Sequence, residues 1–294
     1  ANSNGNNFNK IAKINRTSFT SSFKINNPDF KLKHILTTSI LFDNNTLSPI
    51  TFTYSLKREF LNQFNVYLNT GKVYRFPTIN DLYWNPGGNE NLLPENGYTS
   101  DLGLVFTKKV NKATLTFEPS LYSRWIDNWI LWQPNGDFWS PMNVKKVWNR
   151  GIETSSKFNI SNKKLDHQFT IKTAYNMSTN VEVENSNNGS LNKQLIYTPH
   201  YKLVFKSQLK FKDLSITYIH NYTGYRFTSR DNENYLPSFN LGRLFVSYRF
   251  QLENSSARIF YKINNLYNTN YQLVMNRAMP LMNHEIGINL KLSK

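Results

Sequence analysis

The stretch KLVFKSQLKFK, residues 202 to 212, alternates apolar and polar side chains along most of its length. Its two sets are Leu203, Phe205, Leu209 and Phe211 on one side, and Lys206, Gln208, Lys210 and Lys212 on the other. Because successive side chains of a β-strand point to opposite faces, this stretch predicts a strand with one apolar and one polar face. The same alternation recurs in LFVSYRFQL at 244–252 and in IGINLKL at 286–292.

The alternation extends over most of the chain and predicts thirteen strands. We place them at about 11–25, 31–43, 48–57, 61–75, 97–110, 113–130, 143–161, 164–180, 195–212, 214–228, 238–252, 255–264 and 282–292. Strands of a soluble sandwich average about 5 to 6 residues, whereas a tilted strand that crosses a bilayer needs about 9 to 11. Nearly all of the predicted strands are long enough to cross.

The connections between these strands alternate in length. Short turns are predicted at NNPD, KREF, VNK, SNKK, KD and ENSS, and longer loops at about 76–96, 131–142, 181–194, 229–237 and 265–281, with DNNTL a shorter one. Barrels of the bacterial outer membrane have short periplasmic turns and long external loops, while a soluble β-meander predicts no such difference. The sequence therefore predicts an all-β, transmembrane antiparallel β-barrel without internal domain boundaries.

Composition excludes several other classes of protein. The chain has no cysteine, so it holds no disulfide scaffold, thiolate metal site or cysteine nucleophile. No apolar run reaches the roughly 18 residues of a transmembrane helix. The net charge of +16 is dispersed along the chain, for example in FTKKVNK and SNKKL, and we therefore expect no nucleic-acid partner.

Nothing in the sequence indicates catalysis or a bound cofactor. The five histidines, His34, His167, His200, His220 and His284, lack metal-ligand spacing. No nucleophile and base constellation, phosphate-binding glycine loop or carboxylate pair stands out. We expect no enzyme, no metal site and no cofactor.

Three motifs carry a resemblance to a known family. RFPTINDLYW at 75–84, followed by GGNENLLPE and DLGLVF, resembles a run in TonB-dependent outer-membrane receptors. NVKKVWNRGIE at 143–153 and NNLYNTNYQ at 264–272 are similar to two later motifs of that family. The resemblance extends from about residue 60 to the end, with three departures: Asp101 in place of the usual Glu, MPLMN at 279–283 in place of Pro-Gly-Arg, and a last segment, LKLSK, without a terminal aromatic residue.

The resemblance implies a fold and a set of partners. Family members have an N-terminal plug domain and 22 strands, so residues 1–294 are expected to be the C-terminal part of such a barrel, without the plug. The expected partners are the remaining barrel and plug portion, supplied as a separate chain, TonB reached indirectly through that plug, outer-membrane lipid, and a surface lipoprotein. Counting strands places residue 1 outside the cell, as expected for a receptor split within an external loop.

The implied function is energised import of a scarce nutrient across the bacterial outer membrane. The resemblance leaves cobalamin, haem, ferric siderophores and oligosaccharides open as substrates, because fold does not imply function. A passive porin-like or structural barrel is the alternative, although thirteen strands are an odd number for self-closure. A soluble β-rich adhesin is a third class, which detergent partitioning would separate from both barrels.

Candidate ligand-binding residues lie in or near the predicted external loops. Aromatic side chains there could stack on a ligand, and arginines could pair with an anionic one. The candidates are Arg75, Tyr83, Trp84, Trp132, Trp139, Arg226, Arg230 and Arg277. The alternative roles are lid packing or a membrane-interface girdle for the aromatics, which we favour for Trp125 and Trp129, and strand or headgroup bridging for the arginines.

Overall fold

A computed structural model describes residues 2–3, 7–8, 12–44, 46–61, 63–162, 164–183, 189–252 and 255–292. Thirteen long strands, numbered β1 to β13 in chain order, form one antiparallel sheet in which each strand pairs with its sequence neighbours. They are Arg16–Asn27, Leu32–Asp43, Thr51–Leu61, Phe64–Arg75, Glu95–Val110, Ala113–Asn135, Phe138–Ser161, Leu165–Glu182, Tyr201–Phe211, Leu214–Thr223, Phe239–Leu252, Ser255–Asn264 and Asn283–Leu292. The predicted all-β antiparallel architecture and the number of long strands are confirmed.

The structure also contains one short helix and several short strands. A five-residue helix, α1, covers Ile79–Tyr83 in the loop between β4 and β5. Small strand pairs join Asn2–Ser3 to Ala12–Lys13, Arg226–Phe227 to Tyr235–Leu236, and Gln272–Val274 to Arg277–Ala278, while Thr46–Leu47 adds to β2. Within the described ranges, no helix has the length and apolar character needed to span a membrane.

The predicted 131–142 loop is wrong, because β6 and β7 continue through it. The two strands pair up to Asn135 and Phe138 and turn at Gly136, which adopts the left-handed conformation at φ 60°. Pro134 and Pro141 lie within the paired strands, although proline is usually excluded from strand interiors. With 23 and 24 residues, β6 and β7 are about twice as long as a bilayer crossing requires, so their hairpin projects beyond the membrane at the end where the long loops lie.

Several other strand boundaries differ from the prediction: β1 begins at Arg16 instead of residue 11, β3 continues through the predicted KREF turn to Leu61, and two strands are shorter than predicted at the long-loop end. The strand predicted from residue 195 begins at Tyr201, after Pro199, whose missing N–H cannot join the ladder. The strand predicted to run to 228 ends at Thr223, before Gly224, and Arg226–Phe227 pairs with its own loop instead. Both segments therefore belong to the long-loop end of the sheet.

The sheet has one apolar and one polar face, as the alternation predicted. Large apolar side chains stand exposed on the apolar face, for example Phe23 and Ile286, the latter 76% exposed. On the other face hydroxyls pair across strands, as Thr20 does with Ser39 at 3.0 Å. The buried hydrophobic residues, such as Phe76 and Leu195, lie mainly at the long-loop end, so packing is concentrated where the loops meet the sheet.

An aromatic cluster marks the apolar face towards the long-loop end. The rings of Trp125 and Trp148 stack 4.5 Å apart, and Trp125 is 43% exposed. The Arg150 guanidinium lies 3.7 Å from the centre of a Trp148 ring. This combination is what a membrane-interface girdle requires, an apolar ring with a polar group that reaches water.

On the polar face two tyrosine rings cover glycines directly opposite them. Tyr67 faces Gly103, and Tyr122 faces Gly151. A Cβ at Gly103 would lie 2.2 Å from the Tyr67 ring, so only glycine leaves room for the ring to lie flat on the sheet. The Tyr122 hydroxyl donates to Asn176 Oδ1 at 2.7 Å and links β6 to β8 across β7.

We expect Gly103→Val to destabilise the complete protein by about 1–3 kcal/mol, because the added side chain displaces the Tyr67 ring. Thermal unfolding in detergent, followed by circular dichroism, measures the loss. The double variant Tyr67→Ala and Gly103→Val should lose less than the sum of the two single variants, since the clash is gone. Strict additivity would show that the ring and the glycine are not coupled.

Candidate ligand-binding rim

The loop at 76–94 is built on a capped helix. Thr78 is the N-cap residue of α1, and its hydroxyl oxygen accepts the Asp81 backbone N–H at 3.2 Å. The Asp81 carboxylate accepts in return the Thr78 backbone N–H at 2.8 Å. This reciprocal capping box satisfies donors at the helix start that would otherwise be unpaired. The polar character of this stretch therefore has a local structural cause.

Asp81 also binds the loop to the wall. It is only 5% exposed, and its Oδ1 accepts the Trp132 indole N–H at 2.8 Å. Arg75 Nη1 lies 3.5 Å from Asp81 Oδ2, while Arg75 Nε and Nη2 make two hydrogen bonds to Glu95 at 2.6 and 2.7 Å. A fork-to-carboxylate pair of this kind is among the stronger polar contacts in proteins. Two candidate ligand residues, Arg75 and Trp132, thus meet on one buried carboxylate.

These contacts set the protonation of Asp81. Burial on its own would raise the pKa of this carboxyl, but the hydrogen bonds from Thr78 and Trp132 and the charge of Arg75 outweigh burial and hold the pKa below its usual value. Asp81 is therefore ionised at neutral pH, and the loop is fixed by a charged acceptor.

The rest of the 76–94 loop follows the β6–β7 hairpin. Asn89 Nδ2 donates to Pro141 O at 3.1 Å, and Ser140 Oγ donates to Gly87 O at 2.8 Å. The Asn143 side chain accepts the Leu93 N–H at 2.8 Å and donates to Leu93 O at 3.0 Å. Side chains of the hairpin therefore replace the ladder partners that the loop backbone lacks.

Tyr83 and Trp84 lie at the end of α1 and are partly exposed. The Trp84 ring packs edge-on against Phe8, with ring centres 5.9 Å apart, and the two residues form an isolated β-bridge. The Asn85 N–H donates to Asn7 O at 2.9 Å. Trp84 therefore holds residues 7 and 8 against the loop.

A cavity of about 200 Å³ opens on another side of the β6–β7 hairpin. Arg230 lines it and donates through Nε to Gln133 Oε1 at 2.7 Å, and its Nη2 lies 3.4 Å from Met142 Sδ. Lys145 and Lys193 also line the cavity, and among the described residues its one acidic lining residue is Glu182, 2.9 Å from Lys145 Nζ. The described part of the lining therefore has a basic balance and suits an anionic or hydrogen-bonding group.

Sequence reasoning missed the polar residues that support this cavity. Gln133 is 4% exposed, and Gln194 accepts the Ser178 N–H at 2.8 Å and donates to Thr198 O at 3.2 Å. The side chains of Asn180 and Ser190 are 2.9 Å apart. The only signal was a lone glutamine among apolar neighbours, in LWQP and KQLIY. Residues 184–188 of the predicted 181–194 loop lie outside the described residues, and in its described part Ser190 and Gln194 are buried.

The other candidates lie elsewhere on the rim. The rings of Trp139 and Tyr197 are 5.2 Å apart. Arg226 is 4% exposed, lies over the Phe239 ring at 4.7 Å, and donates to Gln272 O at 3.0 Å. Burial lowers the pKa of this guanidinium. Arg226 therefore connects two long loops, whereas Arg277 is exposed in its short strand.

The eight candidates thus form several groups. Arg75 and Trp132 meet at Asp81. Tyr83 and Trp84 lie at the end of α1, and Arg230 lines the cavity. Trp139, Arg226 and Arg277 lie apart from these groups and from each other. The arrangement builds a rim whose loops are fixed to the wall, with one small basic cavity between them.

Comparisons with known proteins agree with this architecture. The family model described as "TonB dependent receptor-like, beta-barrel" matches residues 5–266. Vitamin B12 transporter BtuB of Photobacterium profundum is 32% identical over 128 residues, 41% of this chain and 20% of the transporter. BtuB of Vibrio vulnificus is 24% identical over 234 residues, 78% of this chain and 34% of the transporter.

Solved structures share the fold. The ferric enterobactin receptor PfeA of Pseudomonas aeruginosa matches with a TM-score of 0.67 at 14% identity, covering 96% of this chain and 45% of the receptor. The chain spans less than half the length of each of these proteins. At this identity the structural likeness concerns the fold alone.

Acid should release the 76–94 loop. Because the folded state lowers the pKa of Asp81, its contribution to stability is present above the ordinary aspartate pKa of about 4 and is lost as pH falls through the lower, folded value. A nitroxide at Asn91→Cys, unique in this cysteine-free chain, should be immobile at neutral pH and mobile in acid. Asp81→Asn should remove this acid step. An unchanged step in that variant would assign it to another carboxyl.

Proposed function

Because this chain belongs to the family of TonB-dependent receptor β-barrels, we propose that it forms the C-terminal part of an outer-membrane receptor that actively imports a scarce nutrient. Residues 1–294 would supply wall, lumen surface and part of the external rim. The remaining strands and the plug would come from outside this chain.

The observation that carries this proposal is the difference between the two ends of the sheet. At one end the strands are joined by short turns, and at the other the loops are fixed by buried contacts such as Trp132 to Asp81 around a basic cavity. A passive wall needs no such structure on one rim, whereas a receptor needs pre-organised loops to hold a ligand.

The partners follow from this proposal. The N-terminal barrel and plug portion of the same receptor, as a separate chain, would complete the sheet at β1 and β13. TonB would act on the plug, so this chain would sense TonB only indirectly, and a surface lipoprotein could cover the rim.

The substrate class is best approached from the sequence relatives. Those described above are vitamin B12 transporters, so a corrinoid is the first substrate that we propose. The receptor PfeA, similar in fold, makes a ferric siderophore the second candidate for testing.

We propose different roles for the candidate ligand residues. Arg75, Trp132 and Arg226 would position the loops, because their polar atoms contact other parts of the rim. Arg230, which lines the cavity, would contact the ligand, and the partly exposed rings of Tyr83, Trp84 and Trp139 would offer stacking surfaces beside it. Arg277 would meet the ligand only if its loop bends inward.

Uptake in cells tests the proposed function. Deleting the gene should abolish uptake of labelled cobalamin at nanomolar supply, and the complete receptor should restore it only when TonB is present. The same deletion should leave the uptake of labelled ferric siderophore unchanged. Uptake that continues without TonB and rises linearly with concentration would identify a passive pore instead.

Substituting Arg230 tests the cavity. The Arg230→Ala variant should bind the ligand about tenfold or more weakly, because it loses the hydrogen bonds from the charged guanidinium to the ligand. Arg230→Lys should be intermediate because it keeps the charge but loses the planar fork. Lys109→Ala, at the opposite end of the sheet, is the control for lost positive charge, and equal affinities in all three variants would place the ligand elsewhere. Equilibrium binding to the purified complete receptor measures the effect.

A further inference from the structure

Two rows of polar and aromatic side chains cross the apolar face of β4 to β7 towards the long-loop end, and the register of the four strands fixes each row. We define the exterior patch by these two rows. The aromatic row is Lys72, Tyr98, Trp125 and Trp148, and the hydroxyl row, one residue pair nearer the membrane centre, is Thr70, Ser100, Ser123 and Arg150. The next row towards the membrane centre is purely apolar and consists of Leu68, Leu102, Leu121 and Ile152.

The hydroxyl row lies on the membrane side of the aromatic row, which a girdle alone does not explain. Interfacial aromatic rings flank an apolar band, so polar groups belong on their water side. Here the Trp148 indole N–H donates to Ser123 Oγ at 3.0 Å, towards the membrane centre, and the hydroxyls of Thr70 and Ser100 are 2.9 Å apart. A polar headgroup that reaches this depth would give these hydroxyls further partners.

The exterior patch has a basic residue at each of two opposite corners. Lys72 lies at the β4 end of the aromatic row and Arg150 at the β7 end of the hydroxyl row. Neither pairs with an Asp or Glu of the described residues, whereas Lys146, one residue pair above Trp148, lies 3.4 Å from Asp127. A cation on the lipid face costs more the deeper it lies, so two such cations without a carboxylate indicate negative charge on the lipid itself.

The spacing of the two cations selects the kind of lipid. They lie three strands apart across the sheet and one residue pair apart along it, which places their Cα atoms about 16 Å apart. Tyr98, 58% exposed, and Trp125, 43% exposed, lie between them. One phosphate group does not reach both cations across two rings, whereas two phosphates on one sugar backbone do. The exposed rings offer that backbone a flat surface for stacking.

The opposite end of the same four strands lacks this arrangement. There a row of exterior side chains consists of Phe64, Phe106, Phe117 and Ser156 and carries no charge. The two leaflets of the membrane therefore meet different surfaces on β4 to β7. The charged surface lies beside the long loops, which is the external end of a barrel of this kind.

We propose that the exterior patch binds an outer-leaflet glycolipid that carries two phosphate groups, one beside Lys72 and one beside Arg150. The sugar backbone lies on Tyr98 and Trp125, and its polar groups form hydrogen bonds with the hydroxyl row. The acyl chains cover the apolar row, in which Leu121 is 54% exposed. Because the patch lies on the outer surface of the wall, the inference is independent of the solute that is imported.

Native mass spectrometry of the complete receptor, purified in detergent and stripped of lipid, tests the proposal. The probes are lipid A, which is a disaccharide with two phosphates, its monophosphoryl form, and phosphatidylglycerol, which has one phosphate and no sugar. We expect one lipid A per receptor, bound about tenfold or more tightly than either of the other two lipids. Equal binding of phosphatidylglycerol would reduce the patch to an unspecific girdle and overturn the inference.

Substitutions of the two cations locate the site. Lys72→Gln and Arg150→Gln should each weaken lipid A binding about tenfold, because each removes the charged partner of one phosphate. With the monophosphoryl form, one of the two substitutions should have no effect, since the corresponding phosphate is missing. Lys108→Gln, on the same face of β5 but at the short-turn end, is the matched control.

A conservative variant separates charge from packing. Arg150→Lys should retain most of the lipid A binding, because it keeps the cation while it loses the planar contact with the Trp148 ring. Unchanged lipid A binding in both glutamine variants, or an equal loss in Lys108→Gln, would place the glycolipid elsewhere on the wall and overturn the inference.

Discussion

Hydrocarbon offers no hydrogen-bond partner to a backbone, and this constraint shapes the whole structure. Every N–H and C=O of a membrane-spanning strand must be paired with a neighbouring strand, since each unpaired group costs several kcal/mol. The antiparallel ladder satisfies the requirement for β2 to β12 with the shortest connections, each strand pairing with its sequence neighbours, whereas β1 and β13 are each paired on one side only within the described residues. Departures from regular pairing therefore occur outside the membrane, where water or side chains can replace the ladder.

The rim uses side chains for that purpose. The 76–94 loop leaves the sheet after Arg75 and returns at Glu95, and these two residues form the ion pair that closes its base. The Asp81 carboxylate then accepts hydrogen bonds from Thr78 at the helix cap and from Trp132 of the hairpin, and it lies beside Arg75. Because Asp81 is buried, removing any one donor leaves a charge poorly solvated, so the contacts act together rather than as separate weak bonds.

The sequence predicted the strands well because burial in lipid imposes a period of two on every one of them. It failed where a strand leaves the membrane, since the β6–β7 hairpin then contains prolines and polar residues and has the composition of a loop. The candidate residues lay at the rim as expected, but their partners did not follow from the pattern. Nothing in the spacing connects Trp132 with Asp81 or Arg230 with Gln133, because such contacts depend on how separate loops fold against each other.

The net charge of the chain has a structural explanation once the two faces are known. Lysines that are scattered in sequence converge on the polar face, as Lys206 and Lys210 do in the stretch that opened the sequence analysis. Arg58 and Lys108 on the apolar face stand near strand ends, where long side chains reach water, and Arg150 on that face lies over the Trp148 ring. Dispersed charge in the sequence therefore becomes a concentrated field inside the wall. The mutual repulsion of these basic residues is relieved in part within the wall, where Glu118 lies 3.7 Å from Lys157 and Asp101 lies 3.7 Å from Arg124.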